Sequence, residues 1–523
     1  MHRSPGLGLW EALALLALLP LLLRFIPWKR SPDADRWRTG PELGLGLACG
    51  LGFAALSAWW MADFHLRGFP MTASDFSEYC VSVDAVRDGR WGGYSNNRSR
   101  LAGWPAGWLA GSLGIIDGLA FSALISTVFV GAALYFWGRA LHSRVAGVIV
   151  VLLALTIGPV ALIPRTMSFY PVNTAIFAWS AAGAALALRY RTLPALLVCG
   201  VGAGLALLVD VRGLLWALPA LGLGLLACVP RDWKTWRGWA WLPARILMVV
   251  GPIALSYPVG TQVYSKYSVT LESQAEGFQK DRSMHVGLDY QPRRLPTSYL
   301  WGHSDPRYIP YTLQGIAELS GQLPEKVKNV PETVYARMNH IEPWYEVALG
   351  ALALTGLALL RRPWQLIALS GLLPFAVTLK NTSDYLVFAR YLQAPMLIFA
   401  LLMGAALTAL ALDPMPKLPR GGEGEPAPAE DGRWRWRVWA RPAAAVLLAA
   451  MLAFGAVPSY LSPLASWRTP FFAGQDPRNM IRLAEENGTI RDLREMTCLR
   501  PLIRDVHKDG HPAGSRLYPH GGM

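Results

Sequence analysis

The sequence predicts an all-α polytopic membrane protein of about twelve transmembrane helices, and three observations predict it. Of its 523 residues, 53% are hydrophobic and only 16% are charged, where a soluble chain carries about a quarter. The apolar residues fall in blocks of roughly 17 to 22, the length that crosses a hydrocarbon core about 30 Å thick. Blocks such as 145–163 and 392–412 carry no polar stripe, which a soluble amphipathic helix would show.

Taken in order, the spans run approximately over 7–27, 41–62, 115–138, 145–163, 172–188, 193–209, 214–229, 241–259, 344–360, 364–379, 391–412 and 442–460. The first is interrupted by Glu11, Pro20 and Arg24. Its charged flank lies on the C-terminal side and no small-residue cleavage site follows, so it reads as a retained span. Counted with their adjoining span ends, the loops after spans 1, 3, 5, 7, 9 and 11 carry 21 Lys and Arg. The opposite side carries 10 once the two longest polar segments, which the positive-inside rule does not score, are set aside. Lys29, Arg30, Arg36 and Arg38 fall within ten residues. That side is expected to be cytoplasmic, with both termini outside. Trp28, Trp37, Trp233, Trp236, Trp239, Trp434, Trp436 and Trp439 stand at these borders, where amphipathic rings belong.

Residues 1–460 are expected to form one transmembrane module, with external loops 63–114 and 260–343 and a cytoplasmic linker 413–441. Asp413 to Asp431 is rich in Pro, Gly and Glu and reads as disordered. Residues 461–523 form an external tail. Most polar chain therefore faces outside, which favours surface chemistry over transport at the bilayer midplane. The net charge of +14 sits at span ends rather than on one face, which excludes nucleic acid as a partner. Cys49, Cys199 and Cys228 lie in apolar runs and read as small core residues. Cys80 and Cys498 face the oxidising side and are candidates for a disulfide. His285, His303 and His340 lack metal-ligand spacing, so no metal or cofactor is expected.

The first external loop carries the densest pattern. Tyr79, Val83 and Val86 recur at i, i+4 and i+7, one face of a short helix, and Gly89 is a natural stop. Such a helix is expected to lie on the membrane surface, with Asp75 at its N-terminus. Thr72 and Asp75 also fit a capping arrangement, which gives Asp75 a purely structural alternative.

Asp75, Phe76, Tyr79, Ala85, Gly89 and Tyr94 follow an early span in an order that resembles the first loop of the GT-C glycosyltransferases. The bacterial polyprenyl-phosphate-mannose-dependent mannosyltransferases are the nearest look-alikes. Protein O-mannosyltransferases and aminoarabinose transferases are more distant. The similarity continues through Trp104-Pro105-Ala106-Gly107, the stretches Tyr135 to Arg144 and Gly202 to Leu218, and Phe388-Ala389-Arg390-Tyr391-Leu392-Gln393-Ala394-Pro395. Two features depart from the pattern: a span precedes the loop, and Asp210 stands before Arg212. The resemblance implies a polyprenyl-phosphate sugar as donor, with a lipid, glycan or protein acceptor. It implies Asp75 as general base and inversion at the anomeric carbon, on the external face of a bacterial cytoplasmic membrane. Glu78 and Tyr79 are the loop's candidates for holding substrate.

A lipid phosphate at the external interface calls for cations, and a guanidinium meets it bidentately. Arg165, Arg212, Lys380 and Arg390 lie at external span ends; headgroup anchoring is their structural alternative. Arg212 is expected to pair with Asp210, since a lone charge near hydrocarbon is costly. Loop 260–343 contains Tyr299, Trp301, His303, Tyr308 and Tyr311, aromatics suited to a sugar face or to the core of a small lid. A flippase of lipid-linked glycans and a glycan ligase or polymerase are the competing functions.

Overall fold

The computed structural model describes residues 20–25, 39–60, 100–166, 168–209, 211–230, 236–265, 343–360, 393–412 and 440–453. It also describes positions 79, 83, 84, 86, 87 and 89, and 364, 365, 367, 368, 371, 372 and 374. Among these residues the fold is all-helical, without a strand. The principal helices are α1 (Thr39–Trp60), α2 (Trp104–Leu113), α3 (Ile115–Leu141), α4 (Arg144–Ala154), α5 (Tyr170–Tyr190) and α6 (Leu193–Val209). They continue with α7 (Leu214–Cys228), α8 (Leu242–Ser265), α9 (Pro343–Leu359), α10 (Leu397–Ala411) and α11 (Ala440–Ala453). Four helices, at Thr39–Trp59, Asp117–Leu141, Tyr170–Tyr190 and Leu242–Val259, are long and apolar enough to cross a membrane. Most of span 1, the linker 413–441 apart from its last two residues, loop 260–343 beyond its ends and the tail lie outside the described residues.

Two spans differ from the sequence reading. The run 145–163 is not one helix. Helix α4 stops at Ala154, and the chain passes through a turn at 155–157, a single helical turn Gly158–Ala161 and a 3-10 turn Ile163–Arg165. Pro159 and Pro164 cannot donate to a helix ladder, and the unwound turn closes on itself through Thr156 N to Leu153 O and Ile157 N to Ala154 O. Broken backbone at membrane depth survives only inside protein, and residues 155–164 are buried but for Gly158. Span 11 likewise begins late: Gln393 to Met396 form a turn containing Pro395, and the helix starts at Leu397.

Helix α5 is the central post, with 83% of its span buried, whereas α8 is largely exposed, with 11% buried. Glycines set the distances between neighbours. On α1, a Cβ at Gly50 would lie 2.3 Å from Val128 O of α3, and one at Gly46 would meet the Phe136 ring. This Gly-x-x-x-Gly stripe lets two backbones approach closely. Helix α6 uses opposite faces: Gly202 against Ser180 of α5, Gly200 and Gly204 against the carbonyls of Met248 and Pro252 on α8. Outward-facing Phe121, Ile125 and Phe129 on α3 are exposed, one helical stripe of the kind that lipid covers.

A sharper case is Gly356, where a Cβ would stand 1.8 Å from Leu402 O on α10. Gly356→Ala should therefore destabilise the protein by about 1–3 kcal/mol. Gly350→Ala, on the same helix with no atom within 4 Å, should be neutral or stabilising by up to about 1 kcal/mol. Thermal unfolding of both variants in one detergent checks this; equal melting temperatures would mean that the α9–α10 crossing is not this tight.

The N-terminus of α1, the C-terminus of α3 and the start of α4 are joined by a buried ion cluster. Glu42, in the first turn of α1, is fully buried. Its Oε2 accepts from Tyr135 Oη at 2.7 Å, and its Oε1 accepts from Arg139 Nε at 3.0 Å and Arg144 Nε at 2.9 Å. Arg139 is fully buried and Arg144 about one-third exposed. The arrangement suits the helix dipoles, with an acid at one N-terminus and a base at a C-terminus. Nearby, Arg191, in the left-handed region at φ 54°, donates to Val229 O at 2.7 Å and caps the end of α7. Burial and then the Arg245 charge lower the pKa of that guanidinium from its ordinary value.

Candidate functional site

The ends of α1, α3 and α5 meet at one short stretch, residues 163–170, and the turn between α6 and α7 reaches it through Arg212. The stretch begins as the 3-10 turn Ile163–Arg165 and ends at the first residue of α5. Ser168 Oγ accepts from Tyr170 N at 3.2 Å, satisfying one of the orphan amides of that helix start. Three sequence segments that carry the resemblance reach this stretch.

From the first loop comes Tyr79. Its side chain is fully buried, and its ring meets Phe169 edge-on at 4.7 Å between centroids. Val83 and Val86 are buried on the same face, as the i, i+4, i+7 pattern requires. That face does not rest on lipid, as the surface-helix expectation had it. It packs on protein, since a Cβ at Gly107 of α2 would lie 2.4 Å from Val86. Asp84 is buried and paired with Arg87. Gly89, at φ 66°, ends the helix with its N–H on Val86 O at 3.0 Å.

Arg165 donates through Nη2 to Ala58 O, near the C-terminal end of α1, at 2.5 Å. Its Nε is buried and without a hydrogen-bond partner. Among the described residues no carboxylate lies within ion-pair reach of it. Burial lowers the pKa of this guanidinium from its ordinary value, the signature of a charge held out of water without a counter-ion. Arg212, in the 3-10 turn between α6 and α7, places its guanidinium 4.9 Å from the centre of the Tyr170 ring, a cation–π distance. Its expected partner Asp210 lies outside the described residues, as do Asp75, Glu78, Lys380 and Arg390.

The late segment supplies Gln393, which sequence reasoning did not single out. The residue is 1% exposed, and its Nε2 donates to Thr166 Oγ1 at 2.7 Å. Thr166 in turn gives its own proton to Leu162 O at 2.9 Å. That commitment orients the amide, because the hydroxyl can only accept from it. Gln393 Oε1 is left buried with no partner. The signal was present in the sequence as a polar residue between Leu392 and Ala394 at the start of an apolar run. Glu42 carried a similar signal, as the lone acid opening span 2.

The stretch thus holds a half-buried cation with one unmet donor, an unmet acceptor and two aromatic walls, at the side of the bundle where the positive-inside count puts the exterior. An anionic group with hydroxyls beside it matches that set of atoms.

No family model matches the chain, and no curated protein does. Among solved structures the chain is similar to ArnT from Cupriavidus metallidurans bound to undecaprenyl phosphate. The identity is 15% and the TM-score 0.30, over 68% of this chain and 76% of that one. It is also similar to the archaeal oligosaccharyltransferase AglB from Archaeoglobus fulgidus in complex with an inhibitory peptide and a dolichol-phosphate. There the identity is 13% and the TM-score 0.40, over 90% of this chain and 61% of that one.

Proposed function

We propose that this protein is a membrane glycosyltransferase that moves a sugar from a polyprenyl-phosphate carrier to an acceptor hydroxyl on the external face. The observation that carries the reading is the convergence on residues 163–170. Tyr79 meets Phe169 there, Arg212 meets Tyr170 and Gln393 meets Thr166, while Arg165 of the same stretch carries a guanidinium that no described carboxylate neutralises. An anion such as a lipid phosphate would neutralise it.

In the reaction, the acceptor oxygen forms a bond to the anomeric carbon while the carbon–oxygen bond to phosphate breaks on the opposite face. The electron pair leaves with the phosphate, the centre inverts, and the acceptor proton passes to the Asp75 carboxylate. The transition state is oxocarbenium-like, as in other glycosyl transfers. Arg165, Arg212, Lys380 and Arg390 are the cations available to the departing phosphate. The setting is a bacterial cytoplasmic membrane, and the sugar is a hexose or pentose.

The test is a purified protein in proteoliposomes given labelled polyprenyl-phosphate hexoses. Label should move from the carrier to an acceptor; label that merely changes leaflets would support the flippase reading instead. In the same assay Arg390→Ala should weaken donor binding about 10- to 150-fold, the equivalent of a lost charge-assisted contact. Lys at this position should restore part of the loss, since a point charge replaces a fork. Unchanged donor affinity in the Ala variant would make Arg390 a headgroup anchor.

A further inference from the structure

Buried amide oxygens are almost always satisfied, so the unmet Oε1 of Gln393 asks for a donor. It does not stand alone. Its amide nitrogen is fixed on Thr166, whose chain neighbour Arg165 has an equally buried and unmet donor, Nε. Consecutive residues of one turn thus carry an unmet donor, on Arg165, and the anchor of an unmet acceptor, on Gln393, each without a hydrogen-bond partner among the described residues.

The pairing discriminates between ligands. A phosphate oxygen accepts only, so it could meet Arg165 Nε and would leave Gln393 Oε1 unmet. An ammonium donates only, with the opposite failure. A hydroxyl does both at once: its oxygen accepts from Arg165 and its proton goes to Gln393. Burial raises the discrimination, because a site built to hydrogen-bond a hydroxyl rejects an analogue lacking it.

Resting on the glycosyltransferase reading, we infer that Gln393 is a sugar-specificity residue that binds one hydroxyl of the transferred sugar together with Arg165 Nε. Thr166 acts on this contact as a positioning residue, by holding the amide with its oxygen turned to the ligand. The phosphate is left to the guanidinium's remaining nitrogens and to the other cations.

The test measures equilibrium binding to purified wild-type protein and Gln393→Leu in nanodiscs. Leu keeps much of the volume and leaves Thr166 bonded to Leu162. The probes are polyprenyl phosphate without sugar, polyprenyl-phosphate mannose and glucose, and the set of monodeoxy hexosyl carriers. The bare carrier should bind both proteins equally. The better-bound hexosyl carrier should lose roughly 10- to 100-fold in the variant. One monodeoxy carrier should already be weak on the wild type and lose nothing further on the variant.

Equal weakening of bare and sugar-bearing carriers by Gln393→Leu would make the residue structural and overturn the inference. So would an equal loss across every monodeoxy carrier, which would leave an interior water only. Should Gln393→Leu not fold, Thr166→Val, which keeps the volume and removes the anchor of the amide, must show the same pattern at smaller amplitude. Failure of the wild type to bind any polyprenyl phosphate removes the glycosyltransferase reading itself, and the inference with it.

Discussion

Asp75→Asn should give a folded protein that still binds donor but transfers sugar about 10² to 10⁴ times more slowly, the usual contribution of a general base. The substitution separates two roles of this carboxylate. Asn caps a helix as well as Asp does, so if Asp75 serves only to start the loop helix, transfer should stay near normal. The segment it would cap is anchored independently through Tyr79, Val83 and Val86, all buried, which protects the fold in either case. Glu at this position should recover little, because one added methylene moves the carboxylate by about an ångström in a geometry that tolerates less. The deciding measurement is the transfer rate at saturating donor, with a melting temperature beside it. Near-normal transfer by the Asn variant would end the case for Asp75 as the base.

The second large effect lies at the other end of α1. Glu42→Leu removes the one carboxylate that Tyr135, Arg139 and Arg144 share. Removing one partner of a buried ion pair costs about 3–5 kcal/mol, because the remaining charge stays buried without compensation. Arg139, with no exposure, should dominate that cost, and Arg144, about one-third exposed, should contribute less because water screens it. Combining Glu42→Leu with Arg139→Met should return much of the lost stability, since an apolar pair of similar volume needs no counter-charge. Thermal unfolding of the single and double variants in detergent checks both statements. A single variant as stable as the wild type would show that the cluster holds nothing together.

These two sites differ in how far the sequence revealed them. The buried face of the first loop was legible because Tyr79, Val83 and Val86 follow a period that only a helix produces. The turn at Gly89 was legible for the same local reason. Span 4 was misread because a segment buried on all sides is apolar throughout, and hydrophobicity alone then says nothing of where the helix stops. Pro159 and Pro164 were the available marks of the break. Glu42 lies 97 residues from Arg139 and 102 from Arg144, and no local period encodes a meeting at that range. Arg165 and Arg212 are singled out in the sequence by their position at span ends that the positive-inside count puts outside. Gln393 was passed over because it sits inside a motif whose arginine drew attention first.

The hydrogen bond between Thr166 and Gln393 closes over 227 residues of chain, and this gives the protein a clock. Chains are synthesised at about 5–20 residues per second, so the turn at Thr166 leaves the ribosome roughly 10–45 s before Gln393 does. For that interval helices α1 to α9 can enter the bilayer and assemble while the Gln393 wall of the turn does not yet exist. A ribosome that stalls anywhere between these two residues releases a chain with an unfinished turn, and one that stalls late in the interval releases it with helices α1 to α9 already made. Completion of that wall is thus a late event in biogenesis.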